Sequence, residues 1–291
     1  ADLSGFACSW RLLADGGQVQ GGALALPQVG PGEKAEVTIP MELRALDSAR
    51  HHVLDISFRL AEAKLWADAG HEVAWTQLEI PSSVMPAQQS ARAAGRPAGS
   101  HPLGRCVEVD QTGHAIVITG GDFEICMDPR TGMLTSWEAH GLDLIESGPE
   151  LQVWRAPTDN DVWIAGKWRE QGLDHLETHV YDVRVLETGP DRAVVEIPYV
   201  FAANARVPAF RCTATYTIDR SGELLLEEHV VPTLDIETLP RLGVQMMLPE
   251  MLDRVTWYGR GPHENYVDRK ESGRIGRWSA HVDALQVPYI M

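Results

Sequence analysis

The sequence predicts an all-β protein built from antiparallel sandwiches. Short segments such as His52–Leu60 alternate apolar and polar residues at the period of two that a half-buried strand requires. Turn sequences separate these segments, among them Ala14-Asp15-Gly16-Gly17 and Asp219-Arg220-Ser221-Gly222. Helical periodicity is confined to Lys167–Leu176, which predicts one brief helix. Strands joined by tight turns, without helices between them, exclude a βαβ fold.

The first domain is predicted over residues 1–81. Its strands are Phe6–Leu13, Gln18–Leu26, Val37–Ile39, His52–Leu60 and Val73–Ile80. Several short strands within so few residues are typical of a small β-sandwich of immunoglobulin type. The adjacent His51 and His52 point to opposite faces of a strand, so together they cannot hold a metal ion.

A linker is predicted over residues 82–104. This stretch combines proline, alanine, serine, glutamine and glycine and contains no acidic or aromatic residue. It cannot build a core, which is typical of a segment that drapes over a surface or stays disordered.

The second domain is predicted over residues 105–291 as a large antiparallel sandwich. Its strands are Ala115–Thr119, Phe123–Met127, Met133–Glu138, Ala193–Val200, Arg211–Ile218, Glu223–Val231, Arg241–Leu248 and Arg254–Trp257.

Composition limits the classes of partner. The 291 residues carry a formal net charge of -16, which argues against nucleic acid and anionic membranes and suits neutral substrates. Neither a membrane-length apolar run nor a signal peptide is visible, so we expect a soluble, cytoplasmic protein. The cysteines are widely spaced, and buried free thiols are expected rather than a disulfide: Cys8, Cys106, Cys126 and Cys212.

Two polar segments are the candidate sites. The first, Trp154–Asp161, contains Arg155, Asp159, Asn160 and Asp161, and three tryptophans lie in or near it: Trp154, Trp163 and Trp168. Asp and Asn here favour a turn capped by its own side chains, whereas exposed indoles would favour stacking on a sugar ring.

The second polar segment follows Gly259, Gly261 and Pro262, which fix its backbone path. Its candidate residues are His263, Glu264, Asn265, Tyr266, Asp268 and Arg269. Two interpretations are open: ligand binding, or ion pairs that tie the loop to its own domain.

Together these motifs resemble a known family. Trp154–Asp161, then Gly259–Arg269 and Pro288-Tyr289-Ile290, resemble in order and spacing the C-terminal part of the bacterial β-galactosidases of glycoside hydrolase family two. Trp66–Trp75 is similar to the end of the immunoglobulin-like domain that precedes this part.

The resemblance implies a galactose-mutarotase-like sandwich for residues 105–291, incomplete at its C-terminus because the family continues past Pro-Tyr-Ile. It implies retaining hydrolysis of terminal β-galactosides such as lactose by two glutamates of a TIM barrel. That barrel would also bind magnesium and sodium or potassium, so no cofactor, metal ligand or catalytic residue is expected in this chain.

The resemblance also implies roles for the two loops. The loop with Arg155, Asp159, Asn160 and Asp161 would lie near the active-site mouth, and the loop from His263 to Arg269 would hold the domain interface. We expect both loops to meet on one rim of the sandwich, facing the barrel.

Four functions remain open. The chain could be a supporting part of a β-galactosidase, a carbohydrate-binding module, or a subunit that completes a partner polypeptide. In the last case, unpaired sheet edges of this chain would favour pairing with strands of the partner, or self-association. An aldose mutarotase is disfavoured, because His263 and Glu264 are neighbours in one loop rather than partners across a pocket.

Overall fold

The computed structural model describes residues 3–30, 32–43, 46–47, 49–81, 106–265 and 270–285. The elements of these residues run in the following order: β1 Phe6–Ala14, β2 Gly17–Leu24, β3 His52–Leu60, β4 Glu72–Ile80, β5 Glu108–Gln111, β6 Ile116–Thr119, β7 Phe123–Met127, β8 Leu134–Ala139, β9 Leu142–Asp143, β10 Ser147–Gln152, α1 Ala165–Glu170, β11 Leu176–Val180, β12 Arg184–Thr188, β13 Arg192–Ala203, β14 Phe210–Asp219, β15 Leu224–Pro232, β16 Gly243–Met247, β17 Arg254–Gly261 and β18 Arg274–His281. Every strand pairing is antiparallel, which confirms the all-β class.

The chain divides into two compact units, Ala1–Gly95 with Asp253–Met291, and Arg96–Leu252. The first unit contains the four-stranded sheet β2-β1-β3-β4 and the hairpin β17-β18. The sequence had placed the hairpin in a second domain that ends at residue 291. In the structure the hairpin packs with residues of the first unit. The predicted domain boundaries at 81 and 105 stay a prediction.

One face of the four-stranded sheet carries a small apolar core. Trp10, Leu12, Leu46 and Leu54 are buried there. Val37–Ile39, predicted as a strand, is irregular, and that prediction is wrong. Ile39 instead packs its side chain on this core, which requires apolar contact but no ladder of backbone hydrogen bonds.

The opposite face of the sheet is also covered. Asp55 is 1% exposed and Ser57 5% exposed, so β3 is buried on both faces and the predicted half-buried pattern is wrong for this strand. The cover is the β17-β18 hairpin. The Gln77 side-chain amide bonds the backbone of Ile275 in both directions, at 3.0 and 2.7 Å, and Arg274 stacks on Trp75 at 4.4 Å.

The turn between β1 and β2 depends on Gly16. Its φ of +81° lies in the left-handed region, and an added Cβ would come 2.5 Å from the backbone nitrogen of Arg277. We expect Gly16→Ala to lower the free energy of unfolding by about 2 kcal/mol or more, measured by urea unfolding. Gly113→Ala is the matched control, because nothing lies within 4 Å of the position of its Cβ. Equal stability of the two variants would contradict this account.

The second unit is a two-layer sandwich. One layer is β5-β6-β7-β8-β9, and the other is β11-β13-β14-β15 with β12 also pairing with β13. Inward residues of both layers build one core, including Ile118, Ile125, Val195 and Tyr216. Strand β7 has the predicted bounds, and the predicted brief helix appears as α1 followed by a 3₁₀ turn at Leu173–His175.

All four cysteines are free, as predicted. Cys8 and Cys212 are buried, but Cys106 is exposed and Cys126 is partly exposed. Cys126 lies on the outward side of β7, between the buried Ile125 and Met127, so alternation along the strand places it outside the core. Among the described helices, none has the length and apolar character needed to span a membrane. The predicted linker at 82–104 lies outside the described residues.

Candidate functional site

The loop between β10 and α1 is anchored at both ends by buried residues. Val153 is fully buried at its start, and Trp168 of α1, at 3% exposure, packs into the same core. The Trp168 indole N–H donates to the Thr238 carbonyl at 3.0 Å. A short 3₁₀ turn, Asp159–Asp161, lies between these anchors, so the loop has a defined path.

Arg155 and Asp161 form a two-pronged ion pair inside this loop. Nη2 of Arg155 lies 3.0 Å from Oδ1 of Asp161, and Nη1 donates to Oδ2. The side chains are only 16% and 11% exposed. Nε of Arg155 donates to the Pro240 carbonyl at 2.8 Å, which ties the loop to a distant segment of the same unit.

Asp161 also caps the 3₁₀ turn. Its Oδ2 accepts hydrogen bonds from the backbone N–H of Thr158 at 2.6 Å and from the Thr158 hydroxyl at 3.0 Å. Of the two interpretations open for this cluster, the geometry supports side-chain capping for Asp161. Arg155 and Asp161 therefore stabilise the conformation of the loop, and the role at an active-site rim predicted for them stays a prediction.

The pKa of Asp161 is lowered from 3.8 to about 2, first by the Arg155 guanidinium and then by the Thr158 donors, which outweigh the effect of burial. Because the folded-state pKa is depressed, the ionised carboxylate stabilises the fold fully above pH 3.8. This contribution is lost as the pH falls through about 2.

We therefore expect the second unit to lose roughly 1 to 2 kcal/mol of stability in this acid range, and Asp161→Asn to remove this part of the pH dependence. Urea unfolding from pH 6 down to pH 2 measures both effects. An Asp161→Asn variant with the same acid loss as the parent would contradict the assignment.

The three tryptophans near the loop differ in exposure. Trp154 and Trp168 meet edge to face at 6.4 Å between ring centroids and belong to the core packing. Trp163 is 92% exposed, and the adjacent Val162 is 68% exposed. With the exposed Asp159 and Asn160, these two residues form what we call the loop tip. It offers a carboxylate, an amide and an indole face to a sugar or to a protein surface.

The second predicted loop bonds mainly to itself in its described part. Nδ1 of His263 lies 2.8 Å from the Glu264 carbonyl, and Asn265 donates to the His263 carbonyl at 2.7 Å. Arg260 donates to the carbonyls of Lys270 at 2.9 Å and Gly273 at 3.0 Å. These contacts support the interpretation that the loop is tied to its own unit.

The rest of this loop, Tyr266, Asp268 and Arg269, and the motif Pro288-Tyr289-Ile290 lie outside the described residues. The two polar loops belong to different compact units. Their expected meeting on one rim remains a prediction, as do the functional roles assigned to their residues.

Sequence reasoning overlooked a polar cluster on the inner side of the second unit. The Tyr199 hydroxyl donates to Oε2 of Glu228 at 2.9 Å, and burial raises the pKa values of Tyr199, of Glu228 and, to about 11, of Cys212. The sequence of β15 could have indicated this cluster, because Glu228 lies at an inward position of the strand, between the inward Leu226 and Val230. A carboxylate in an inward register position predicts a buried hydrogen-bond partner.

Among the described residues, no three or more His, Cys, Asp or Glu side chains lie close enough together to hold a metal ion. The metals implied by the resemblance thus have no fitting donor set in that part of this chain. Two pockets of about 700 and 500 Å³ in the first unit are lined by residues other than the predicted site residues.

Known proteins similar to this chain are β-galactosidases. The β-galactosidase of Priestia megaterium (strain DSM 319 / IMG 1521) is 31% identical over 295 residues, covering 99% of this chain and 27% of the relative. The Vibrio cholerae enzyme is 30% identical over 96% of this chain, and that of Vibrio vulnificus (strain YJ016) is 28% identical over 97%. The chain spans 27% of the length of these relatives.

Two family models match in order along the chain. The model described as "Beta-galactosidase, domain 4" matches residues 1–81, and "Beta galactosidase small chain" matches residues 119–291. The second match alone covers more than half of the sequence, and the two motifs that carried the resemblance lie within it. The chain therefore belongs to the β-galactosidase family.

Proposed function

We propose that this chain is the supporting C-terminal part of a β-galactosidase that hydrolyses terminal β-D-galactosides such as lactose. In this proposal another part of the enzyme carries the two catalytic glutamates, and the loop tip lies at the mouth of the active site. The observation that carries the proposal is the match of two β-galactosidase family models, in order, over residues 1–81 and 119–291.

The chemistry of the loop supports a role without catalysis. A retaining glycosidase needs one carboxyl group with a raised pKa to protonate the leaving group and a second as nucleophile. Asp161 does not fit the acid role, because Arg155 lowers its pKa to about 2. It does not fit the nucleophile role either, because both of its oxygens accept hydrogen bonds within the loop. Asp159 and Asp161 are therefore not proposed as a catalytic pair.

A chimera tests the proposal directly. This chain would replace the matching 27% of the Priestia megaterium relative, and hydrolysis of a chromogenic β-galactoside would be measured. We expect activity from the chimera and none from this chain alone. Activity of the pure chain, or a folded chimera without activity, would contradict the proposal.

The loop tip provides the matched variants. Trp163→Ala in the chimera is expected to lower activity, because the 92% exposed indole would lose its contact at the mouth. Tyr181→Ala is the control, since Tyr181 is also largely exposed in the same unit but lies outside the loop. Equal effects of the two substitutions would argue against a special role for the tip.

A stand-alone carbohydrate-binding module is the second candidate, favoured by the exposure of Trp163 beside Asp159 and Asn160. Titration with galactose or lactose, followed by tryptophan fluorescence, tests it. A saturable change in the parent that is lost in Trp163→Ala would support this function. No change up to tens of millimolar sugar would count against it.

An exposed apolar stretch supports a partner polypeptide. Leu242, Val244, Met246, Met247 and Leu248 are 43 to 57% exposed in and beside β16, which pairs only with β10 in the described residues. An unpaired apolar edge favours a covering chain or self-association. A clean monomer in size-exclusion chromatography would weaken this part of the proposal. The free thiols are compatible with the cytoplasm as the site of action.

A further inference from the structure

The inner face of strand β15 is less covered than the rest of its sheet. The inward residues of the neighbouring strand β14 are all buried, whereas those of β15 are only half-buried: Leu224, Leu226, Glu228 and Val230. Strand β15 is also an edge strand, because it pairs only with β14 in the described part of the chain. A half-open apolar face at the edge of a sheet is a surface that another element can cover.

Glu228 places a carboxylate on this face. It lies opposite Ala214 of β14, and its Oε2 accepts a hydrogen bond from the Tyr199 hydroxyl at 2.9 Å. Its other oxygen, Oε1, has no hydrogen-bond partner among the described residues and is open to solvent. One oxygen is therefore anchored inside the sandwich, and the other is available to a group that approaches the face.

No lysine, arginine or histidine among the described residues compensates the charge of Glu228. Burial raises the pKa of Glu228, and only the hydrogen bond from Tyr199 opposes this shift. An ionised carboxylate in this position loses part of its hydration without gaining a cation, so it lowers the stability of the fold. Such a cost is expected where a group serves binding rather than folding.

A second carboxylate lies nearby, on the ribbon formed by β10 and β16. Tyr216 is 3% exposed, and its hydroxyl makes no hydrogen bond to another described residue. Burial raises the pKa of Tyr216, and the carboxylates of Glu228 and Glu150 raise it further. Glu150 lies opposite Gln245 in the β10-β16 register. Both carboxylates are thus within electrostatic range of one hydroxyl, which places the face of β15 beside the ribbon that carries the exposed apolar stretch.

Charge and shape select the kind of partner. The two carboxylates attract a basic group and repel an anion. A second copy of this chain is a poor occupant, because it would bring the same carboxylates to the surface and copies with a net charge of -16 repel one another. A polypeptide segment suits the face better than a small cation, because the half-buried Leu226 and Val230 flank Glu228 and offer apolar contact. The chain spans 27% of the Priestia megaterium relative, so in the proposed function most of the enzyme lies outside it.

From these contacts we propose that the inner face of β15 binds a segment of the remaining part of the β-galactosidase, and that a lysine or arginine of this segment forms an ion pair with Glu228. Oε2 of Glu228 keeps its bond to Tyr199, while Oε1 accepts from the cation. The Tyr216 hydroxyl can accept a second N–H of the same cation. Apolar side chains of the segment then pack on Leu226 and Val230. This inference rests on the proposed function and specifies the chemistry of the partner.

Glu228→Gln in the chain alone tests whether the charge is uncompensated. Glutamine keeps an oxygen for the Tyr199 hydroxyl but carries no charge. Because the folded-state pKa of Glu228 is raised, its contribution to stability is fully present below pH 4.5 and is lost as the pH rises through the folded-state pKa. We therefore expect the variant to unfold at a higher urea concentration than the parent at pH 8, and at the same concentration at pH 4.

Glu227→Gln is the matched control for this measurement. Glu227 is the preceding residue of β15, and it lies on the exposed, outward side of the strand. Its substitution should leave the urea midpoint unchanged at both pH values. A Glu228→Gln chain that is no more stable than the parent at pH 8 would overturn the proposal.

The chimera with the Priestia megaterium relative tests the partner. There Glu228→Gln removes one half of an ion pair, so the effect should change sign: at pH 8 the variant chimera should lose half of its activity at a temperature about 2 to 4 °C below that of the parent chimera, as for the loss of roughly one hydrogen bond. Glu227→Gln should again have no effect.

The outcomes separate this inference from the proposed function. An active parent chimera in which Glu228→Gln is equally or more heat-stable would overturn the inference and leave the proposed function intact. A folded but inactive parent chimera would contradict the proposed function and, with it, the inference. Self-association of the pure parent chain that Glu228→Gln abolishes would assign the face to a second copy and would also refute the inference.

Discussion

Asp55→Ala is expected to lower the free energy of unfolding of the first unit by about 1 to 3 kcal/mol, because the Arg11 and Arg274 guanidiniums, 46% and 17% exposed, lose their shared buried carboxylate. Asp55 is 1% exposed and accepts hydrogen bonds from Arg11, with Nε of Arg11 at 3.2 Å. Nε of Arg274 lies 3.8 Å from Oδ1 of Asp55, and Nη2 of Arg274 lies 2.6 Å from Glu72. Removing Asp55 takes the central anion from this network.

Hydrogen exchange of the β3 amides during urea titration measures this loss in the first unit specifically. The matched control is Asp182→Ala, whose exposed ion pair with Arg184 has a length of 2.8 Å. That pair is screened by solvent, so little change is expected. Equal protection of β3 in the parent and in Asp55→Ala would refute the role assigned to Asp55.

Arg155→Ala is expected to lower the stability of the second unit by about 3 kcal/mol, at the lower end of the range for breaking a buried ion pair. The substitution leaves the Asp161 carboxylate, 11% exposed, without its cation and removes the bond to the Pro240 carbonyl. Urea unfolding followed by exchange of the β10 amides measures the loss. The Asp161 pKa should also return toward 3.8.

Arg155→Lys separates charge from geometry. A lysine keeps the positive charge but cannot reproduce the two-pronged pair or the Nε bond to Pro240, so only partial rescue is expected. Arg192→Ala is the control at an exposed ion pair with Glu187. Full rescue by lysine would mean that charge alone holds the loop, which would contradict the hydrogen-bonded geometry described above.

Local patterns predicted strand positions well wherever burial alternates along the strand. Phe123–Met127 was predicted to the residue, and β13 to β15 differ only at their ends. The prediction failed at Val37–Ile39, because β-branched residues favour a strand but the pairing partner is set elsewhere in the chain. Strands β5, β9, β10, β11, β12 and β18 were not predicted at all. Several of these are short or lack clear alternation.

The conformation of the polar loop was predicted in part, and its role as a site stays a prediction. The sequence identified the polar loop around Arg155 and the capping tendency of Asp161, because turn chemistry depends on neighbouring residues. It left open which tryptophan faces solvent. That depends on how α1 packs, and the structure buries Trp168 while exposing Trp163.

The sequence by itself determined the all-β class, the positions of most long strands, the polar loops and the resemblance to β-galactosidases. These are properties of neighbouring residues and of short motifs. The tertiary structure alone decided that β3 is covered on both faces, that Asp55 is buried among cations, and that Trp10 Nε1 has no partner. Such features arise from contacts between distant residues, as between Glu72 and Arg274, 202 positions apart, and local patterns carry no information about them.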